Sequence, residues 1–284
     1  MNKSRFRRLP RVIALAAVVL LGIFWFVTTR SNPHNFKYQG VRLEDWLEAL
    51  WHDEPGAEQA IREIGTNAIP LLLELLHTRQ SPPVDRVLEK IAIETDQLSP
   101  LPNLRPTVHH HGLAYCGFHA LGPIAAPAIP SIAPLLSDDS QRSFYPALSL
   151  AAIGGVHELS MALTNQHGQI RSHLLLALAE ARSERRLAAT VLSNHIAHPD
   201  FSARIAALAA LRDLDGPPEI AIPAFMEAIQ DENRAVKRYG LEGLGKLGPA
   251  ASRAADLVAT LTNNPSAMVR KAAIAALQSI HTKP

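Results

Sequence analysis

Residues 267–280 read AMVRKAAIAALQSI, and 33 positions earlier the chain reads RAVKRYGLEGLGKL at residues 234–247. Two more steps of the same length give FSARIAALAALRDL at 201–214 and GQIRSHLLLALAEA at 168–181. In all four segments the fourth position is basic, the seventh and tenth are apolar or glycine, and the eleventh is leucine. A self-similar period of this size predicts stacked supersecondary units rather than a domain with one central core.

Each of these segments has the periodicity of a helix. In the last one, Val269, Ala272, Ala273 and Ala276 are spaced i, i+3, i+4 and i+7, which places them on one helix face. A polar column, which marks a turn, lies six positions before the basic one: Asn165, His198, Asp231 and Asn264. The pattern therefore predicts units of helix, turn and helix, four of which run without a gap from about residue 153 to residue 284.

One junction recurs upstream at irregular spacing. The sequence ALGPIAAPAIP at 120–130 is similar to GKLGPAA at 245–251 and to IGTNAIP at 64–70. Together with the phrase V-R-x-x-A-x-x-A-L, these junctions resemble the short bacterial HEAT repeats that also occur in phycobilisome-lyase-like proteins. The resemblance covers roughly 57–284, with a gap at about 80–112. It implies a fold and no activity, because its signature residues are packing residues.

The predicted fold is all-α: a right-handed α-α superhelix, or HEAT-like solenoid, at 57–284, preceded by one transmembrane helix. Residues 30–56 are expected to hold a linker and an amphipathic helix, Val41–Trp51, that caps the open end of the stack. An irregular, proline-rich insertion is expected at about 80–112, with one helix from Val84 to Thr95. Long insertions of this kind are often functional or mobile.

The first thirty residues combine basic side chains with an apolar run. They contain six of the 28 basic residues and none of the 26 acidic ones. Val12–Thr29 would form a helix about 27 Å long, close to the thickness of a hydrocarbon core. The positive-inside rule then predicts a cytoplasmic basic tail at 1–11 and a signal anchor at 12–29. The remaining chain is expected outside the cytoplasm, in a protein of the bacterial inner membrane.

Two other interpretations of this segment stay open. A basic end followed by an apolar run is also the layout of a cleaved signal peptide, although no small-x-small site follows the run in Phe26–Arg30. The run would also suit a buried helix of a soluble protein. The membrane is therefore a predicted partner through Val12–Thr29.

The charge of the rest of the chain argues against nucleic acid as a partner. Beyond residue 30 there are 22 basic and 26 acidic residues, a net charge of −4. Binding to phosphate backbones depends on clustered lysine and arginine. With a single cysteine, Cys116, the chain cannot build an internal disulfide or a multi-cysteine metal site. No cofactor is predicted.

A partner-binding site is predicted along the second helices of the units. The basic column would follow one edge of the solenoid, where it could bind phosphate or an acidic peptide. Alternatively, each basic side chain bonds to turn residues or carbonyls of a neighbouring unit and fixes the rotation between units. The candidate contacts are the column and two adjacent residues: Arg171, Arg204, Lys237, Arg238, Tyr239 and Arg270.

A weaker alternative is a metal site near the insertion. Imidazole and thiolate groups suit zinc, copper or nickel, and one short segment is rich in them. Three consecutive residues of a regular element cannot all face one ion, so a solvated loop is the competing interpretation for the three histidines. The other two ligand candidates are expected on a repeat helix facing the core. The segment contains His109, His110, His111, Cys116 and His119.

These observations together predict a membrane-anchored scaffold or adaptor that binds a protein or peptide partner and has no catalysis of its own. Stacked helix pairs provide a long, rigid surface that suits extended partners. The alternative function is an enzyme or a metal- or cofactor-binding protein that uses the histidines and cysteine of the 80–119 region. A third hypothesis is that the repeat serves only as a rigid spacer in an assembly of the cell envelope.

Overall fold

The computed structural model describes residues 36–78, 84–88, 90, 106–137 and 143–282. The predicted basic tail and signal anchor lie outside the described residues, as does most of the proline-rich insertion.

Fourteen of the helices in the described residues form seven successive pairs, which confirms the predicted helical repeat. The pairs are α1 (Leu43–Trp51) with α2 (Ala57–Ile64), α3 (Ile69–His77) with α4 (Thr107–Leu121), α5 (Ile129–Ile132) with α6 (Phe144–Ile153), α7 (Val156–Asn165) with α8 (Gly168–Ala177), α9 (Arg185–Ser193) with α10 (Phe201–Asp213), α11 (Pro218–Ala228) with α12 (Arg234–Leu247), and α13 (Ala255–Thr260) with α14 (Ala267–His281). Short 3₁₀ segments extend several helices: Gly65–Ala68, Gly122–Ala128, Ala133–Ser137, Leu178–Glu180, Gly248–Ala254 and Leu261–Asn263.

A small β-hairpin precedes the helices, and the all-α prediction did not include it. Its strands, β1 (Lys37–Tyr38) and β2 (Val41–Arg42), are antiparallel. Gln39 and Gly40 connect them with φ values of 52° and 81°, and positive φ at both central residues suits a tight hairpin turn. The predicted capping helix therefore begins at Leu43 instead of Val41. The residues before Leu43 pair as strands.

Helix α1 forms a pair with α2 and also packs on α4. Leu43 and Leu47 are buried on its inner side. Helix α2 buries Ala57, Ala60, Ile61 and Ile64. Helix α1 packs against α2 at the amino-terminal end of the stack. The predicted boundary at residue 57 separates two helices that bury each other's apolar sides.

The insertion ends earlier than predicted, because α4 begins at Thr107. Residues 84–88, within the predicted helix Val84–Thr95, are helical. Asp85 lies there, and its Oδ1 accepts a hydrogen bond from the Thr107 amide at 2.8 Å. A helix leaves its first amides without internal partners, and a carboxylate at that end also interacts favourably with the helix dipole. Asp85 thus serves as a remote cap for α4.

The glycine that recurs at these junctions is explained by its backbone conformation. Gly65, Gly122 and Gly248 each end a second helix, with φ of 62°, 57° and 55°. Their ψ values lie between −133° and −142°, a region that is open to glycine and strained for other residues. The chain can therefore reverse direction into the next unit at these positions.

The columns of the 33-residue register form the core. Phe225 of α11 is buried against α12 at Gly243, where a Cβ atom would lie 2.5 Å from the phenylalanine ring. In the preceding unit the equivalent residues are Leu192 and Ala210, and in the following unit they are Val258 and Ala276. The largest residue of one column therefore faces the smallest residue of the other, so that the total volume is conserved.

Within the described residues, the stretch Thr107–Leu136 is long and apolar enough to cross a membrane by length and composition. It contains the turn at Gly122, and its residues Phe118, Ala125 and Ile132 are part of the solenoid core. A core segment of a soluble fold passes the same test.

We expect Gly243→Ala to destabilise the solenoid. The added methyl group would overlap the Phe225 ring, at a cost of about 1 to 3 kcal/mol, against a gain of about 1 kcal/mol from helix propensity. The midpoint of urea unfolding should therefore fall. In a Phe225→Leu background the same change should cost less, since the smaller side chain leaves room. Equal costs in both backgrounds would contradict this packing account.

Candidate functional site

The second helices form a continuous row. Each second helix from α4 to α12 contacts the next second helix along the stack, and these contacts are more extensive than those between successive first helices. The positions one, five and eight residues after the basic column lie on one face of each helix and are at least partly exposed. We call these positions the second-helix face: Ser172, Leu176 and Ala179; Ile205, Ala209 and Arg212; Arg238, Glu242 and Gly245; Lys271, Ala275 and Gln278.

Aromatic side chains extend this surface at α6. Phe144 and Tyr145 are half-buried, with ring centroids 5.8 Å apart. The Tyr145 ring lies 6.4 Å from that of Tyr115 on α4, and the Phe144 ring lies 5.2 Å from that of His173 on α8. Three successive second helices thus contribute to one aromatic cluster.

A polar group joins α4 to the end of α8. His119 Nδ1 lies 3.3 Å from Glu180 Oε2, and Tyr115 also forms a hydrogen bond with Glu180. The hydrogen bond with His119 lowers the pKa of Glu180, so the carboxylate is ionised at neutral pH. Burial, followed by the nearby charge of Glu180, raises the pKa of Tyr115, so its hydroxyl stays protonated. The sequence predicted His119 as a possible ligand and gave no signal for Glu180, which comes from another unit.

Cys116 and His119 are partly exposed beside the second-helix face, whereas the sequence placed them toward the core. The difference arises because Gly117, on the same turn of the helix, faces the core instead and contacts Leu72. Burial raises the pKa of the Cys116 thiol. Since the thiolate is the metal ligand and nucleophile, this environment suppresses both roles at neutral pH.

The three consecutive histidines are not in a solvated loop, as one interpretation expected. They lie in the first turns of α4, with exposed fractions of 4% for His109, 7% for His110 and 5% for His111. His109 Nε2 is 3.0 Å from Glu48 Oε1, and His111 Nε2 is 3.2 Å from the Thr78 carbonyl oxygen. Successive helix residues point about 100° apart, so these rings face different neighbours.

No group of three or more histidine, cysteine, aspartate or glutamate side chains suited to a metal ion occurs in the part of the chain that the structure describes. The weak metal alternative consisted of His109, His110, His111, Cys116 and His119. Three of them have separate partners: His109 contacts Glu48, His111 the Thr78 carbonyl and His119 Glu180. These residues do not converge on one point.

The basic column contacts the turns between helices. Arg204 Nη1 donates to the His198 carbonyl at 2.8 Å, and its Nε is 2.8 Å from Asp231 Oδ2 in the next unit. Arg270 Nη1 donates to the Asn264 carbonyl at 2.7 Å. These bonds match the structural interpretation of the column, in which the basic side chains hold adjacent turns together.

The two remaining column members differ from Arg204. Arg171 Nη1 lies 2.5 Å from His198 Nε2, where the next unit has histidine in place of aspartate. Lys237 is half-buried, and its ammonium group forms no hydrogen bond or ion pair with the described residues. Lys237 is therefore a member of the column whose charge is available to a partner.

Arg238 and Tyr239, the other predicted contacts, belong to a charged cluster between α10 and α12. Glu242 lies between two guanidinium groups, at 2.5 Å from Arg238 Nη1 and 3.0 Å from Arg212 Nη1. The Arg238 guanidinium also lies over the Tyr239 ring, 4.4 Å from its centroid. Arg212 and Glu242 were not predicted, although their columns are visible in the register.

A family model described as HEAT repeats matches residues 222–283. No curated protein matches the chain. Among solved structures, the crystal structure of an engineered protein has 17% sequence identity and a TM-score of 0.43, and covers 84% of this chain and 96% of that one. A designed armadillo repeat protein in complex with the peptide (KR)4 has 15% identity and a TM-score of 0.40, and covers 84% of this chain and 99% of that one.

We expect His198→Asp to stabilise the solenoid. His198 Nδ1 accepts from the Asp200 amide at 3.1 Å, while Arg171 approaches Nε2, and a neutral imidazole can accept at only one nitrogen. A carboxylate would accept both bonds, as Asp231 does, and should add about 1 kcal/mol to the free energy of unfolding. Thermal unfolding at neutral pH measures the gain. The matched control, His195→Asp, should give no gain.

The lowered pKa of His198 predicts that the stability of the solenoid depends on pH. Burial and then the charge of Arg171 lower the pKa of His198, so the unfolded chain binds a proton more readily than the folded one. Its contribution to stability is present above the unfolded pKa near 6.5 and is lost as pH falls through the folded value. Between pH 7 and pH 5, the wild-type unfolding midpoint should fall more than that of His198→Asn. Equal slopes would contradict the prediction.

Proposed function

We propose that this protein is a membrane-anchored adaptor that binds a protein or peptide partner through its second-helix face, without catalysis of its own. The observation that carries the proposal is the composition of that face. The buried columns of the register are apolar or glycine, whereas seven of the twelve face positions carry large side chains: Leu176, Ile205, Arg212, Arg238, Glu242, Lys271 and Gln278. Leu176 on the face is 38% exposed, and Met268 beside it is 44% exposed.

The arrangement of these side chains supports a partner rather than a small substrate. The face runs over four successive second helices, α8 to α14, and the aromatic cluster at α4, α6 and α8 extends this surface to six. Large aromatic and arginine side chains commonly dominate binding energy at protein interfaces. An extended chain would meet both clusters in succession.

The basic column has a different role in this proposal. Arg171, Arg204 and Arg270 contact turns within and between units, so a partner would have to replace bonds that join the stack. Lys237, Arg238 and Tyr239 remain the candidate partner contacts of the predicted set. This assignment moves the partner from the edge of the solenoid to the adjacent helix face.

The anchor part of the proposal rests on the sequence. Val12–Thr29 is apolar and follows a basic segment, which supports a single membrane span with residues 1–11 in the cytoplasm and the solenoid on the other side. The inner membrane of a bacterium is the proposed location.

One observation favours the second candidate function, an enzyme. Tyr115, His119 and Glu180 form a connected acid–base group beside Cys116. The raised pKa of the thiol and the engagement of Glu180 with two neighbours give this group no activated nucleophile. We therefore propose a structural or binding role for it.

Site-specific crosslinking tests the adaptor proposal. A photoreactive amino acid at Leu176 lies on the second-helix face, and one at Met161, 59% exposed on the first helix α7, is a matched control. We expect a reproducible crosslinked protein from position 176 in intact cells and none from position 161. Equal products from both positions, or a product from 161 alone, would overturn the proposed face.

Membrane fractionation tests the anchor. The full chain should sediment with membranes and resist alkaline extraction, because the apolar run lies within the bilayer. A variant without residues 2–30 should appear in the soluble fraction with unchanged thermal unfolding of the solenoid. Release of the full chain at alkaline pH would contradict a membrane span.

A further inference from the structure

A groove of about 620 Å³ lies between α12 and α14 on the second-helix side of the stack. Its floor is apolar and small, formed by Leu241, Ala272, Ala275 and Ala276. Its rim has a different character, because charged and flexible side chains surround the floor: Arg238, Glu242, Lys246, Met268 and Lys271.

The groove follows from three differences in the repeat register. Between α10 and α12 the same space is occupied by Arg212, Tyr239 and Glu242, which contact one another. One unit later, these columns hold Gly245, Ala272 and Ala275. At Gly245, a Cβ atom would lie 3.3 Å from the Ala276 Cα, so the glycine also lets the two helices approach closely. The sequence thus removes three large side chains from this interface.

The rim of the groove is positively charged. Three of its side chains are basic, and its one carboxylate, Glu242, is already bound by Arg212 and Arg238. Lys246 Nζ pairs with Asp215 Oδ1 at 2.8 Å. Lys271 is exposed and has no ion-pair partner in the described residues. An anionic group near Lys271 would therefore gain a partner without displacing another carboxylate.

We propose that this groove binds an acidic segment of a partner protein, with aliphatic side chains on the alanine floor and carboxylates on Lys271 and Arg238. This inference rests on the proposed function and specifies the partner's chemistry. Met268 at the rim suits such a segment, because an unbranched thioether adapts to irregular apolar surfaces.

Charge excludes one occupant and disfavours another. The first thirty-five residues of the chain contain six basic and no acidic side chains, so they would be repelled by the rim. A nucleic acid would meet the net charge of −4 on the rest of the chain, and its phosphates would leave the methyl-lined floor uncovered. A peptide that alternates carboxylates and aliphatic groups complements both the rim and the floor.

Fluorescence anisotropy on the full chain in detergent micelles tests the groove. The probe is a short labelled peptide of alternating glutamate and leucine, and its matched counterpart replaces glutamate with lysine. We expect saturable binding of the acidic peptide, weakened by salt, and at least about tenfold weaker binding of the basic one. An oligonucleotide of equal charge should also bind at least about tenfold more weakly.

Two variants separate charge from space. Lys271→Glu reverses the exposed charge. Ala275→Gln places a glutamine on the floor, which is the uncharged analogue of Glu242 at the equivalent position of the preceding unit. Each should weaken binding of the acidic peptide at least about tenfold without changing the unfolding midpoint. Arg253→Glu, exposed in the segment before α13, is the matched charge control and should bind as the wild type does.

The proposal is overturned if the acidic peptide does not bind, if the oligonucleotide or basic peptide binds equally well, or if neither groove variant weakens binding. If one of these results is obtained and position 176 still gives a crosslinked partner, the groove is refuted and the adaptor function is not. Absence of a crosslinked partner with intact peptide binding would refute the broader face and leave the groove.

Discussion

The close packing of second helices against one another is the constraint on which the rest of this structure depends. A single helix pair has apolar surface on both sides and cannot bury it alone. Small residues where second helices meet, such as Gly245 and Ala276, allow neighbouring pairs to approach until that surface is covered. The exposed residues of the second-helix face, such as Leu176 and Lys271, are therefore the ones that packing leaves free to vary.

Sequence periodicity predicts this core well, because every unit meets the same environment and repeats the same solution. The columns that begin at Leu174 and Ala177 are buried throughout their length. The sequence also indicates the turns, because polar residues accept backbone amides there, as Asp231 does from Asn233. A local pattern that recurs four times gives the same physical information four times.

Other features depend on contacts that no local pattern contains. The histidines of α4 looked like part of a loop, because prolines precede them and their chemistry is polar. They are buried because Glu48, Trp51 and the Thr78 carbonyl, from distant positions, provide partners for them. The pair of His119 with Glu180 is equally non-local. The candidate site could therefore be located on the second helices from sequence, but its neighbours across units could not.

The contacts of the basic column have a mechanical consequence. Each guanidinium that bonds to its own turn and to the next joins adjacent units at the same edge, so these contacts are arranged in series along the stack. A force applied between the two ends is transmitted through every contact, and the weakest one yields first. Arg204 and Asp231 share a salt bridge, whereas Arg171 meets an imidazole. Under tension the contact between the units of α8 and α10 would yield before the salt bridge between the units of α10 and α12, whereas the units of α12 and α14, where Lys237 forms no such bond with the described residues, are held together by helix packing.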